Sequence, residues 1–293
     1  MTEQRLAWTE WRDRWPNAAH SRFVEAGGVR WHVQVAGAGP PALLLHGAGG
    51  ATHSWADLLP RLATRFTVIA PDLPGHAFSS APSDPSRLSL GGMAGDVAAL
   101  LAMLGLSPRV LIGHSAGAAI LLRIVADGTV APDIIVGFNA ALAAPTAAAD
   151  AALLPAVRFI ARTAGVARVI STIARFDGVA DSLLQSTGTS LPAEQRLRYR
   201  ALAQSPAHVQ AVFTMFANWD VSALTRAIAS ITTPTTFASA PNDPWVPPRE
   251  TERVAATMPA ARCVALPPAG HLAHEVEPAA AMDVVLGAID RPT

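Results

Sequence analysis

Three side chains, far apart in the chain, have the types that acyl transfer through a hydroxyl requires. Ser115 stands in Gly113-His114-Ser115-Ala116-Gly117, after an apolar run that reads as a strand and before one that reads as a helix. In that setting the G-x-S-x-G pattern makes a nucleophile elbow, a sharp turn that lifts the serine hydroxyl above the edge of a sheet. The bare pattern is common, and the flanking strand and helix give it meaning. Serine is a weak nucleophile until a base takes its proton and an acid holds that base. Asp243, in Pro241-Asn242-Asp243-Pro244, and His271, in Gly270-His271-Leu272, each follow a predicted strand. They supply acid and base in the chain order serine, acid, histidine. His274 and Asp220 compete for these roles but read as structural or substrate-facing.

The developing oxyanion needs donors. The amide after the nucleophile, Ala116, is one. The loop His46-Gly47-Ala48-Gly49-Gly50, which follows an early strand, offers the Ala48 amide as the second. His46 reads as a buried structural histidine, and Asp72 and His76 as turn and loop stabilisers. His114, Met215, Phe216 and Trp219 are candidate substrate-binding positions, with ordinary core packing the other reading for the last three. Cys263 lies in an alternating run that reads as a buried strand, a poor setting for a nucleophile.

These residues need elements to position them. Arg22–Ala26 and Val29–Ala36 flank Gly27-Gly28 as a hairpin. Short apolar runs then alternate with helical spacing: strands at Ala42–Leu45, Phe66–Ala70, Arg109–Ile112 and Ile134–Phe138, and helices at Trp55–Ala63, Met93–Leu104 and Ala116–Ala126. Strands Pro234–Ser239 and Arg262–Leu266 alternate with helices Pro248–Met258 and Pro278–Ile289. This rhythm predicts an α/β fold with a mainly parallel sheet covered on both faces. Residues 140–221 break it, being Ala-rich and helical in pattern. The expected organisation is a core over 1–139 and 222–293 interrupted by a helical insertion over 140–221.

Composition narrows the chemistry. The 22 positive side chains are all arginine and balance 22 acidic ones, so the net charge is zero. Without lysine there is no Schiff-base, P-loop or lysine-base chemistry. A neutral chain has no general attraction for nucleic acid, and no basic run interleaved with aromatics is present. A single cysteine excludes an internal disulfide and reads as intracellular, hence cytoplasmic. The nine scattered histidines suggest no metal site, and no cofactor is expected.

His46-Gly47, Asp72-Leu73-Pro74-Gly75-His76, Gly113–Gly117, Asp243 and Gly270-His271 together resemble the α/β-hydrolase superfamily over nearly the whole chain. The resemblance implies a mostly parallel eight-stranded sheet with a helical cap, here 140–221, inserted after the sixth strand. Ala77 departs from the pattern, since glycine commonly follows Gly-His there. A narrower likeness rests on Trp15-Pro16-Asn17, Ser21-Arg22-Phe23-Val24, the run Gly28 to Gln34, Thr52-His53-Ser54-Trp55, the elbow run Gly113 to Leu121, Ala217-Asn218-Trp219-Asp220 and the run Gly270 to Glu275. These strings resemble the magnesium-chelatase accessory proteins of bacteriochlorophyll biosynthesis. That likeness implies a pathway role, with a tetrapyrrole or small apolar substrate and chelatase subunits as partners. It does not imply a reaction, and any magnesium belongs to the partner enzyme or the substrate. Serine rather than aspartate at the elbow argues against dehalogenase or epoxide-hydrolase chemistry. Open readings are a serine esterase or amidase, a carbon–carbon bond hydrolase on the same triad, and a non-catalytic tetrapyrrole-binding protein.

Two surfaces could meet a membrane peripherally or dock a partner, and the second, rich in arginine, could also meet a tetrapyrrole's propionates. Trp8, Trp11 and Trp15 share a face if helical, for which docking onto the body is the plainer reading. Residues 155–200 hold seven arginines against Asp177, Asp181 and Glu194, a local charge of 7 − 3 = +4. A solvated helix face is the plainer reading there.

Overall fold

The computed structural model describes residues 5–143, 147–163, 165–176 and 178–290. Positions 144–146, 164 and 177 of the expected insertion, Asp177 among them, lie outside the described residues. Eight strands form one sheet: β1 Ser21–Ala26, β2 Val29–Ala36, β3 Pro41–Leu45, β4 Thr67–Pro71, β5 Val110–His114, β6 Ile134–Phe138, β7 Thr235–Ser239 and β8 Ala261–Ala265. Their spatial order is β1-β2-β4-β3-β5-β6-β7-β8. The β1/β2 hairpin and the β2/β4 contact are antiparallel, and every pairing from β4 to β8 is parallel. The central strands are apolar throughout because helices cover both faces. Leu43, Leu45 and Leu111 enter one core, while Leu44, Ile112 and Val136 enter the other.

In chain order the helices are α1 Trp8–Trp11, α2 Leu58–Leu62, α3 Leu90–Leu104, α4 Ala116–Ala126, α5 Ala147–Arg162, α6 Val166–Ile173, α7 Val179–Gln185, α8 Ala193–Ala203, α9 Pro206–Ala217, α10 Ser222–Ala227, α11 Pro248–Ala255, α12 Ala273–Val276 and α13 Pro278–Ile289. Six of them, α5 to α10, fall between β6 and β7, and the first five make up the helical insertion that follows the sixth strand as expected. Strand ends agree with the sequence reading to within one or two residues. The single helix expected over Trp55–Ala63 is instead a 3-10 turn, Thr52–Trp55, followed by α2. Cys263, read as buried, is exposed, because β8 is the last strand of the sheet and has one uncovered edge.

The tryptophan segment also differs from a single helical face. The helix α1 ends at Trp11, and Trp15 follows in a turn. The rings face inward: Trp8 lies 4.9 Å and Trp15 4.8 Å from the Phe78 ring centroid, and Trp8 also meets Phe23 and His32. Trp15 Nε1 donates to Thr52 Oγ1 at 2.8 Å, and Arg198 of α8 donates to the Arg14 carbonyl. The segment is thus a wedge between cap and core, which removes the outward tryptophan face as a membrane contact. Trp15→Ala should cost about 3–5 kcal/mol through the cavity it leaves. Trp15→Phe should cost less, about 1–3 kcal/mol, through loss of the Thr52 bond and the smaller ring. Urea unfolding followed by circular dichroism separates the two.

Candidate active site

The turn from β5 into α4 puts Ser115 at φ 51° and ψ −119°. Its amide donates to the Phe138 carbonyl at 2.9 Å, and its own carbonyl accepts from Ala118 at 3.1 Å and Ala141 at 3.2 Å. The glycines on either side permit the turn. A Cβ on Gly117 would lie 2.2 Å from the Leu45 carbonyl oxygen, and one on Gly113 2.6 Å from the Ala118 backbone. One on Gly47 would come within 3.0 Å of Ser115 Cβ, so the loop after β3 abuts the serine directly.

His271 and Asp243 are brought together from loops after β8 and β7. His271 Nδ1 donates to Asp243 Oδ2 at 2.8 Å, and both side chains are buried. Asn139, itself at φ 45°, donates from Nδ2 to the same oxygen at 2.6 Å. The amides of Trp245 and Val246 bond Asp243 Oδ1 at 2.8 and 3.0 Å. Burial works to raise the Asp243 pKa, but His271, the Val246 amide and Asn139 outweigh it and leave the carboxyl below its ordinary value. An ionised carboxylate is therefore fixed against the histidine, whose Nε2 is left as the basic nitrogen. His114, next to Ser115, donates from Nε2 to the His271 carbonyl at 2.9 Å, with the two rings 4.8 Å apart.

The loop His46–Gly50 is held from three sides. His46 Nε2 accepts the Leu73 amide at 2.9 Å, and Asp72 Oδ1 accepts the Thr52 amide at 2.7 Å. Asp72 also pairs with buried His32 at 2.8 Å. Burial opposes its charge, yet His32 and the Thr52 amide hold it down to about 2. From the cap, His208 of α9 accepts the Ala77 amide on Nδ1 at 3.1 Å and bonds the Gly49 backbone. With Nδ1 accepting, the neutral ring carries its proton on Nε2 and donates to the Gly49 carbonyl. Burial lowers the His208 pKa to about 4, so the ring is neutral. Ala77 stands at φ 41°, the left-handed region that glycine occupies more easily.

A small chamber beside Gly47–Gly50 is bordered by His114, His271, Tyr199 and Trp245. It adjoins a cavity of about 410 Å³ walled by α6 to α9, within the size range of small-molecule sites. Ala48 borders both spaces. Of the positions read as substrate-binding, His114 borders the chamber, although its ring is committed to His271 and lies 4.3 Å from His274. Phe216 lines the large cavity. Met215 does not: it is fully buried in the main core, and Trp219 packs against that core. Adjacent helical positions point about 100° apart, which sends Met215 and Phe216 to different sides.

The competing candidates are placed elsewhere. His274 is buried among His114, Trp55 and Phe138, and Asp220 caps the Ser222 amide at 2.8 Å on the surface. Among the described residues, no cluster of three or more histidine, cysteine or acidic side chains is placed to hold a metal ion. No helix among them is long and apolar enough to cross a membrane. Trp245, 5.3 Å from the His271 ring, and Tyr199, the chain's single tyrosine, were not anticipated from sequence. An aromatic two residues after Asp243 was the available signal for the first; nothing local marks the second.

A family model described as alpha/beta hydrolase fold matches residues 40–278. The chain is 33% identical over 264 residues to the magnesium-chelatase 30 kDa subunit of Rhodobacter capsulatus, covering 89% of this chain and 92% of that protein. It is 39% identical over 99 residues to a fluoroacetate dehalogenase of Burkholderia sp, a match to 33% of each chain. An alpha/beta hydrolase fold protein from Burkholderia ambifaria superposes with a TM-score of 0.75 at 24% identity, over 92% of this chain and 100% of that one, a likeness of fold.

Next to this site lies a buried carboxyl with an unusual proton affinity. Tyr199 donates to Glu275 Oε1 at 2.5 Å, and burial pushes Glu275 from 4.5 up to about 7 despite bonds from Tyr199 and Ser54. Below pH 4.5 the group is neutral in both folded and unfolded chains. Between 4.5 and about 7 the unfolded chain ionises first, so stability falls as pH rises, levelling off at a loss of roughly 3 kcal/mol. Glu275→Gln keeps the acceptor and removes the ionisation. In urea titrations its stability relative to wild type should rise across that window; a pH-independent difference would mean that Glu275 titrates normally.

Proposed function

The chain belongs to the α/β-hydrolase fold family, and from that premise we propose that it is a serine hydrolase serving as a magnesium-chelatase accessory factor in (bacterio)chlorophyll biosynthesis. The observation that carries the catalytic half is the buried Asp243–His271 couple, fixed at 2.8 Å and tied through the His271 carbonyl to His114, the neighbour of a serine on a strained strand-to-helix turn. The pathway half is supported by the relative of Rhodobacter capsulatus, which spans nearly the whole chain.

In this reading His271 Nε2 takes the Ser115 proton as Oγ attacks an ester or amide carbonyl. Asp243 stabilises the imidazolium and keeps the ring in the tautomer that presents Nε2. The first amide of α4, Ala116, has no partner within its helix, and together with the Ala48 amide it receives the oxyanion. The imidazolium then protonates the leaving alcohol or amine, and an acyl group remains on Oγ. Water, deprotonated by His271, attacks that acyl carbon and releases the acid, restoring Ser115. His208 and Asp72 hold the loop that carries Ala48. The substrate's apolar part occupies the cavity under α6 to α9, where Phe216 lies. The match to a dehalogenase covers only a third of each chain, and the serine at the elbow favours acyl transfer over that chemistry.

A water-soluble fluorophosphonate should label the wild-type protein and not Ser115→Ala. Asp243→Asn should lower kcat on a chromogenic short-chain ester by about 10⁴. Equal labelling of wild type and Ser115→Ala would sink the hydrolase reading. Protoporphyrin IX and its magnesium form, titrated against the protein, test the pathway half. Saturable binding with no ester turnover would make it a tetrapyrrole-binding protein, and neither binding nor any effect on chelatase rate would end the pathway assignment.

A further inference from the structure

Scattered exposed apolar side chains are ordinary on a protein surface, but concentration in one place is not. Among the described residues, eight of the ten exposed large apolar side chains lie between Phe159 and Phe216, in the cap. Ile173, Val179, Leu183 and Phe216, with Trp245 opposite them, are 41 to 56% exposed and at the same time line the large cavity. Phe176, at 67% the most exposed of the ten, sits in the turn between Ile173 and Val179. The apolar lining therefore runs without a break from the interior of the site onto the outer surface.

Charge sets the context. Residues 147–178 contain Arg158, Arg162, Arg168 and Arg175 against Asp150 and Asp177, a local charge of 4 − 2 = +2. All four are exposed on α5, on α6 or just beyond it. Farther along, Arg198 and Arg200 are paired with Glu194 and Asp181, which leaves Arg196 as the excess cation of that part of the cap.

We propose that this face docks on an anionic lipid bilayer, and that the substrate is an apolar molecule dissolved in that bilayer, entering through the mouth ringed by Ile173, Val179, Leu183, Phe216 and Trp245. Aromatic and aliphatic side chains bordered by arginine match the interfacial zone of a membrane, where rings sit at headgroup depth and guanidinium groups meet phosphate. The continuity of lining and surface favours a fluid partner over a rigid one. A protein seated on this face would plug the entrance, whereas lipid lets an apolar solute pass without crossing water. The entry route rests on reading the cavity as the substrate site; the docking surface does not.

The test is co-sedimentation of the intact chain with extruded phosphatidylcholine vesicles, with and without phosphatidylglycerol. Binding is expected to the anionic vesicles, weakened by salt. Arg168→Gln and Arg175→Gln should each lower the partition coefficient about fivefold, and Phe176→Glu should abolish binding. None of these three side chains lines the cavity, so fluorophosphonate labelling of Ser115 should be unchanged in all of them, which also reports that they fold. No binding to either vesicle, or binding that survives all three substitutions, overturns the proposal. So does a dimer in sedimentation velocity that Phe176→Glu dissolves, because the face would then belong to a second copy. If wild type binds vesicles as expected but is not labelled, the hydrolase reading fails and the docking surface stands.

Discussion

Ser115 is held at φ 51° and ψ −119°, a backbone conformation that an L-residue adopts only under constraint, at a cost of about 1–3 kcal/mol. The constraint is the close approach of α4 to the sheet. Gly117 lets the helix backbone touch the end of β3, and Gly113 lets β5 touch the first turn of α4. Ala119, Ile120, Leu121 and Leu122 are then wholly buried, and fully burying one leucine-sized side chain contributes about 1.5–3 kcal/mol. The helix's own core contacts outweigh the strain at its first residue. The same approach places the first-turn amides of α4 over the sheet edge and brings Asn139, after β6, into reach of Asp243. The elbow serine, the first amides of α4 and the Asn139 support of Asp243 thus gather around one packing contact.

That contact was legible in the sequence because it needs glycine at two fixed positions around a serine, between two recognisable elements. The parallel strands were legible for a similar reason: buried on both faces, each is an unbroken apolar run, and its C-terminal end marks where Asp243 and His271 must lie. What could not be read is what joins the cap to the core. His208 reaches the Gly49 and Ala77 backbones from α9, and Tyr199 reaches Glu275 from α8 across 76 positions of sequence. Each link is one side chain with no partner at a fixed spacing, so no periodicity announces it. Whether Met215 and Trp219 face the cavity or the core could not be read for the opposite reason: apolar character is visible in sequence, but the side of a helix that faces a cavity depends on what the helix leans against. Ala77 is an instructive residue, since the sequence marked it as a departure and the fold keeps its left-handed backbone with a hydrogen bond from its amide to His208.

These cap links are made of groups that would be costly if charged. His46, His53, His76, His114, His208 and His274 all have pKa values lowered chiefly by burial. Six neutral imidazoles around the site can each offer one donor and one acceptor without a counter-ion. Charge is confined to Asp72, balanced by His32 and backbone amides, and to Asp243, balanced by His271, Asn139 and two amides. In such a low-dielectric setting an imidazolium formed at His271 has one carboxylate within reach, and that pairing is what makes the histidine a usable base.

The cap helices meet two opposed demands, and helical periodicity lets them do so. Toward the core, α8 and α9 present Tyr199 and His208, polar side chains that bond Glu275 of α12 and the backbone of Gly49 and Ala77. Toward solvent, α6, α7 and the end of α9 present Ile173, Val179, Leu183 and Phe216, which also wall the cavity. Met215 and Phe216 are neighbours in sequence, yet one is sealed in the core and the other stands at the entrance. A fold that used the cap only to close the site would have turned those aliphatic side chains inward, since exposing them forgoes the burial that stabilises everything else. On the proposed docking, that forgone burial is recovered where the rim meets the apolar phase of a bilayer.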